Sequence, residues 1–185
     1  MIHIKDNFEE YEDPYLYDVE NKIMTEYDLL FEFAKDTNGT VIDLACGTGR
    51  LTVPLAENGI PIVGIDLHEG MLRRAMDKAK DLPIKWIKRD ITKLALQMKS
   101  SLIYMVGNSF QHFLTNEAQE KALVNVANHL EQDGIFIFNT RFPSKEELLQ
   151  PEAEEYWQTY KGKEGVFVDV FTISKYNPIT QIQHL

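Results

Sequence analysis

Short apolar runs alternate along the chain with segments whose apolar residues recur every three or four positions. Val41–Leu44, Pro61–Ile65, Ile84–Ile87, Leu102–Val106 and Ile135–Phe138 are each brief, rich in β-branched or aromatic residues, and nearly all apolar. Runs of that kind suit strands buried on both faces, as in a parallel sheet. Between them, Leu72, Ala75, Met76 and Ala79 share one helical face, as do Leu123, Val126, Ala127 and Leu130. Turn signals at Asn38-Gly39, Asn58-Gly59 and Asp133-Gly134 each precede a strand. Strand–helix alternation with right-handed crossovers predicts an α/β fold, doubly wound, with a mainly parallel sheet flanked by helices.

Two regions depart from this rhythm. Residues 1–37 carry "FEEYEDPYLYDVENK" and then an amphipathic helical pattern in "MTEYDLLFEFAKD". After Phe142 the alternation stops. The stretch "YWQTYKGKEGVFVDVFTISKYNPITQIQHL" reads as three β-rich runs separated by Lys-Gly-Lys-Glu-Gly and Tyr-Asn-Pro-Ile. These are hairpin signals, so an antiparallel β segment is expected. A chain of 185 residues suggests one domain, with an N-terminal helical part over 1–37, a core over 38–142 and a partial antiparallel sheet over 143–185.

Composition narrows the function classes. Apolar content of 44% and charged content of 26% are those of a globular protein. No apolar run approaches the ~20 residues of a membrane span, and "MIHIKDNFEEYEDP" has no apolar stretch of a secretory signal. Cys46 is the only cysteine, which gives no disulfide framework and no metal-type spacing. A cytoplasmic, metal-free protein without membrane partners is expected. The net charge of −10 argues against nucleic acid, whose phosphates call for a basic patch.

Candidate chemistry gathers at the first strand end. In open α/β sheets, ligands bind outside the carboxyl ends of the strands. The sequence "VIDLACGTGRL" puts Gly47 and Gly49 there, where the chain must turn sharply and pass close to a ligand. A helix from Arg50 is expected to aim its free amide groups at that ligand. Asp66 ends the second strand roughly 20 residues on, the spacing of an acid that accepts from ribose hydroxyls and repels a 2′-phosphate. The dinucleotide fingerprint has a third glycine for close helix packing. Here that place holds Thr52, so a nicotinamide-dependent oxidoreductase is the alternative that the residues serve less well. Asp43 reads as buried support for the turn, and Cys46 as a small side chain in a tight place.

The pattern D-x-A-x-G-x-G from Asp43 to Gly49 resembles the class I S-adenosylmethionine-dependent methyltransferases, and the resemblance covers most of the chain. It implies a Rossmann-like sheet and S-adenosylmethionine as cofactor. Ala45, Gly47 and Gly49 would face its methionine part, and Arg50 would pair with its carboxylate or with a nearby acid. Asp66 would hold the ribose. In "DLHEGML", Leu67 and Met71 would sandwich the adenine, and in "IKRDITKL", Asp90 and the Ile91 amide would read the adenine edge. In "IYMVGNSFQHFL", Val106 to Ser109, Asn108 among them, would pass beside the sulfonium.

The segment "DPYLYDVE" looks like the lid of small-molecule methyltransferases, and Tyr11, Tyr15, Tyr17 and Tyr27 offer it aromatic faces for a cation. The implied reaction is an in-line displacement, with His112 as the base for a protonated acceptor and Tyr17 as the preferred lid contact. Gly107-Asn108-Ser109-Phe110 lacks the prolines of the base-amine methylating motif, which favours a small-molecule acceptor. The family's two closing strands are not evident before Leu185, so the chain reads as truncated. An open sheet edge would then invite a homodimer. A non-catalytic module that binds S-adenosylmethionine is a further alternative.

Overall fold

The computed structural model describes residues 11–162 and 165–184. The first ten residues of the expected lid, together with Lys163, Glu164 and Leu185, lie outside the described residues. The chain divides into two compact units between Thr140 and Arg141.

The first unit runs α1 (Pro14–Glu20), α2 (Tyr27–Ala34), β1 (Val41–Leu44), α3 (Thr52–Glu57), β2 (Ile62–Asp66), α4 (Glu69–Ala79), β3 (Lys85–Lys88), β4 (Ser100–Met105), α5 (Asn116–His129) and β5 (Leu130–Phe138). Single 3-10 turns sit at Ile91–Lys93 and Ser109–His112. The five strands form one sheet in the order β3-β2-β1-β4-β5, every pair parallel. The expected doubly wound architecture is therefore present. Strand order reverses between β1 and β4, and a crevice opens at their carboxyl ends.

The three inner strands, β2, β1 and β4, are buried on both faces, to which their side chains alternate, while β3 and β5 at the edges are more exposed. Val41, Leu102 and Tyr104 pack on one face with Leu30, Ala34, Leu51 and Leu55. Ile42, Leu44, Ile103 and Met105 pack on the other with Ile91, Leu94, Ala122 and Val126. His129 ends α5 as a buried pin: one ring nitrogen accepts from the Leu96 amide at 2.8 Å, and the other donates to the Asn125 carbonyl at 2.6 Å.

Three expectations are refined here. The first core helix begins at Thr52, two residues after Arg50, and has only six residues. The turn that carries positive φ at Ala45, Gly47 and Gly49 runs on through Leu51, which stands at the N-cap. Leu130 belongs to β5 rather than to the helical stripe before it. Asp133-Gly134 lies within β5, where the register jumps from Ser100↔Leu130 to Leu102↔Ile135, so the turn signal marks an irregularity inside the strand, with Asp133 at a left-handed φ of +61°.

Two side-chain arrangements fix the crevice floor. Gly64 lies between Asp43 and Trp86 in the sheet register. The Trp86 ring lies across Gly64, where a Cβ would come within 2.5 Å of it, and reaches Gly49, where a Cβ would come within 2.9 Å. On the same strands, one Asp43 oxygen accepts from the Thr52 hydroxyl at 2.5 Å and from the Tyr104 hydroxyl at 2.8 Å. All three residues are buried. Burial pushes the Asp43 carboxyl up to about 7, against the two hydroxyl hydrogen bonds, which favour the charged form. Thr52, in the third-glycine position, thus ties α3 back onto β1.

The second unit holds α6 (Lys145–Leu148), β6 (Glu155–Lys161), β7 (Phe167–Thr172), β8 (Lys175–Asn177) and β9 (Ile182–His184). A Ser144/Glu147 capping box starts α6. β6 pairs antiparallel with β7, and β8 with β9. The antiparallel expectation holds, but the middle β-rich run breaks at Ile173–Ser174 into two strands, giving two separate hairpins. The Asn177 side chain closes the second by accepting from the Ile179 and Thr180 amides.

Gly64→Ala is expected to lower stability by about 1–3 kcal/mol in urea unfolding, because the added methyl meets the Trp86 ring. Combining it with Trp86→Leu should cost less than the two single changes added together. Asp43 sets a pH dependence. Its folded value near 7 exceeds the unfolded ~3.9, so between those values the folded chain keeps a proton that the unfolded chain has lost. Stability should fall as pH rises through that window and level off above it. Asp43→Asn should shrink the loss between pH 5 and pH 7 by on the order of 2 kcal/mol, read from urea midpoints at each pH.

Candidate active site

The turn after β1 is held from two sides. The Cys46 amide donates to the Ile65 carbonyl at 3.0 Å, and the Gly49 amide to the Cys46 carbonyl at 2.9 Å. The Gly47 amide donates to Asp66 at 2.7 Å, and the other Asp66 oxygen accepts from the His68 amide at 2.7 Å. Asp66 therefore straps the turn to the end of β2. Burial raises its pKa, and the His68 and Gly47 amide donors work against that rise.

The two glycines serve different neighbours. A side chain on Gly47 would start 3.6 Å from the Met71 methyl and 4.0 Å from the Tyr17 ring, on the crevice side. A side chain on Gly49 would start against Trp86, Val53 and Ala75, on the core side. Gly49 thus allows close packing at a backbone angle of φ +73°. Ala45 also holds a left-handed φ of +56° without being glycine, a conformation that collects at functional sites. Cys46 is buried, and burial pushes its thiol well above its ordinary range. That suits a small packing side chain.

Tyr17 of α1 faces the turn. With Asp43, Ala45, Cys46, Arg50, Leu51 and Val106 it encloses a space of about 20 Å³. Tyr11 continues the aromatic row, with its ring centroid 5.9 Å from that of Tyr17 and its hydroxyl 2.8 Å from His112 Nε2. The structure therefore brings Tyr17, Ala45, Arg50 and Val106 together around one space. It sets Gly47, Asp66 and Met71 beside it, and links His112 to it through Tyr11.

Other expected residues have partners of their own. Arg50 donates to the Ile23 carbonyl and lies 3.4 Å from the Glu26 carboxylate. Asp90 caps its own 3-10 turn by accepting from the Thr92 amide and hydroxyl, with Lys93 at 3.4 Å. Ile91 is buried beneath it. Leu67 is 45% exposed, whereas Met71 is buried. Asn108 has a left-handed backbone, and its amide donates to the Asn139 side chain at 2.8 Å. Of the expected lid aromatics, Tyr27 stacks on Phe31 and accepts from Asn58, and Tyr15 lies under Arg74.

Several residues at the site carry no sequence motif. Asn139 follows β5 and donates to Glu26 at 3.2 Å, so an unbroken polar chain runs from Asn108 through Asn139 and Glu26 to Arg50. Burial raises the Glu26 pKa, but its backbone amide and Arg50 outweigh this and hold it below the ordinary range. Asn139 had one available signal, its place at a strand's carboxyl end. Glu26, Asp18 and Thr48 had none, because their partners lie far away in sequence.

Comparison with known proteins matches this geometry. The methyltransferase domain family matches residues 41–134, from β1 into β5. The carboxy-S-adenosyl-L-methionine synthase of Nautilia profundicola is 26% identical over 144 residues, 76% of this chain and 60% of that protein. The glycine/sarcosine N-methyltransferase of Aphanothece halophytica is 30% identical over 105 residues, 55% of this chain and 40% of that protein. A solved S-adenosylmethionine-dependent methyltransferase from Clostridium acetobutylicum is 25% identical, with a TM-score of 0.68 over 88% of this chain and 68% of that one. The chain spans about half of the length of these curated relatives. The match runs through the glycine turn, Asp66 and the fourth strand together, and the chain belongs to the class I S-adenosylmethionine-dependent methyltransferases.

Proposed function

We propose that this protein transfers a methyl group from S-adenosylmethionine to a small-molecule acceptor. The observation that carries this reading is the Asp66 strap, which fixes a glycine turn, with Met71 and Tyr17 facing Gly47, beside a carboxylate at the end of β2. The residues present fit an adenosyl ligand. Asp66 has the acceptor oxygens for ribose hydroxyls, Met71 and Leu67 offer apolar cover for a base, and Asp90 and Ile91 sit at the end of β3. Ala45, Gly47, Gly49 and Val106 would border the methionine end. Asp43 lines the same space and would ionise more readily beside a cation there.

The bound cofactor supplies an electrophilic methyl on a sulfonium, for in-line transfer to an acceptor nucleophile. The chain's own part is to orient the two reactants and exclude water, a contribution of roughly 7–11 kcal/mol when alignment is good. Tyr17 closes over the turn and offers an aromatic face toward positive charge. His112, hydrogen-bonded to Tyr11, is the group we assign to take a proton from the acceptor.

The net charge of −10 supports a small acceptor rather than nucleic acid. The glycine/sarcosine N-methyltransferase of Aphanothece halophytica acts, by its name, on small acceptors. No helix among the described residues is long and apolar enough to cross a membrane. With the lone buried cysteine, this supports a cytoplasmic protein. Among the described residues β5 pairs with β4 alone, and Ile135 and Phe138 are over 40% exposed. An edge of that kind supports self-association.

Calorimetry is expected to show binding of S-adenosylmethionine and S-adenosylhomocysteine and none of NADH. Asp66→Ala should weaken S-adenosylhomocysteine binding roughly 10- to 150-fold, the loss of a charged hydrogen-bonding group, in a chain that still unfolds cooperatively. Unchanged affinity would remove Asp66 from the site. Incubation of cell extract with methyl-labelled cofactor should label a small molecule. Binding without any label would identify a non-catalytic module instead.

A further inference from the structure

Helix α1 has seven residues and buries none of them. So short a helix is not stable alone in water, and its place depends on contacts to the core. One side chain, Asp18, makes three hydrogen bonds there. An Asp18 oxygen accepts from the Thr48 hydroxyl at 2.6 Å and from Lys78 at 2.7 Å, and the other accepts from Arg74 Nε at 2.7 Å. Lys78 also donates to the Thr48 hydroxyl at 3.0 Å, closing a ring of three groups. Arg74 and Lys78 stand one turn apart on α4, and Arg74 also lies over the Tyr15 ring.

The position of Thr48 gives this cluster its meaning. Thr48 lies between Gly47 and Gly49 in the turn itself and is fully buried. The side chain of Asp18 thus fastens α1 both to α4 and to the turn, one residue after Tyr17, which covers the turn. Beyond α1, the linker residues Lys22, Ile23, Met24 and Thr25 are exposed, Ile23 at 77%. The link from lid to core is therefore polar and partly shielded, between an exposed linker and a buried turn. Burial tends to raise the Asp18 pKa, yet the hydrogen bonds from Lys78, Thr48 and Arg74 outweigh it, so the carboxylate is charged at neutral pH.

We propose that Asp18 is a positioning residue that latches α1 over the glycine turn, and that opening of this latch sets the rate at which adenosyl ligands exchange. The exchange role rests on the reading that the turn seats S-adenosylmethionine. The latch itself is a contact between lid and core and does not depend on that reading.

Two measurements on the full chain test it. Limited trypsin cleavage after Lys22 is expected to rise at least about fivefold in Asp18→Asn, with Asp18→Glu recovering part of the protection. The urea midpoint reports whether the core of each variant is folded. Cleavage of Asp18→Asn at the wild-type rate in a folded core overturns the latch. In stopped-flow displacement, S-adenosylhomocysteine should leave Asp18→Asn about tenfold faster than wild type. The cofactor KM should rise while kcat changes less than about twofold. Lys78→Met should have a smaller effect, since Arg74 and Thr48 remain, and the double variant should fall short of additivity. A wild-type chain that binds S-adenosylhomocysteine but releases it no faster from Asp18→Asn overturns the exchange role alone. A wild-type chain that does not bind S-adenosylhomocysteine overturns the cofactor reading, and the exchange role with it.

Discussion

The bond from the Gly47 amide to the Asp66 carboxylate is the constraint on which the site depends. Three left-handed backbone positions in five residues, Ala45, Gly47 and Gly49, make the chain after β1 costly to hold in one shape. Asp66 removes that freedom by tying the turn to β2, the strand that already pairs with β1. The same carboxylate accepts from the His68 amide and so fixes the start of α4. One residue at a strand end thereby sets the turn, the first helical turn after β2 and the acceptor group expected to meet a ribose.

Below the turn, packing rather than hydrogen bonding sets the tolerances. Trp86 covers Gly64 and reaches Gly49, so two glycines give way to one ring. Beside them Asp43 gathers the Thr52 and Tyr104 hydroxyls inside the core. That arrangement ties α3 to β1 and β4, at the cost of a buried carboxylate whose charge the surroundings disfavour. The floor of the crevice is consequently close-packed. The cover above it is held by polar contacts from Asp18, Glu26 and Arg50. Ion pairs that are partly open to water weaken with salt and with competition from water, whereas close packing does not.

Much of this is legible in the chain itself because the determinants are local. Strand runs, the D-x-A-x-G-x-G turn and the acid roughly 20 residues later are patterns within single elements or between consecutive strands. Errors in the reading arise where a local signal has two structural meanings. Asp133-Gly134 is a turn signal, and it turns the backbone locally, but it lies inside β5, since pairing with β4 resumes on both sides of it. Leu130 continues a helical stripe, yet its pairing with Ser100 makes it a strand residue. Tyr27 and Tyr17 are alike in sequence, and only the packing sends one to Phe31 and the other to the turn.

The sequence by itself determined the parallel α/β architecture and the place of a glycine turn after β1 with Asp66 at the end of the next strand. These follow from periodicity and from backbone freedom, which each short segment carries with it. Tertiary structure alone decided that Gly49 yields to Trp86 while Gly47 faces Met71 and Tyr17, that Thr48 and Asp18 join α1 to the turn, and that Asn139 and Glu26 join in one polar chain. The physical reason is range. A hydrogen bond between residues 30 or 113 positions apart exists only when the sheet and its helices bring the two groups together, and nothing in either segment announces its partner.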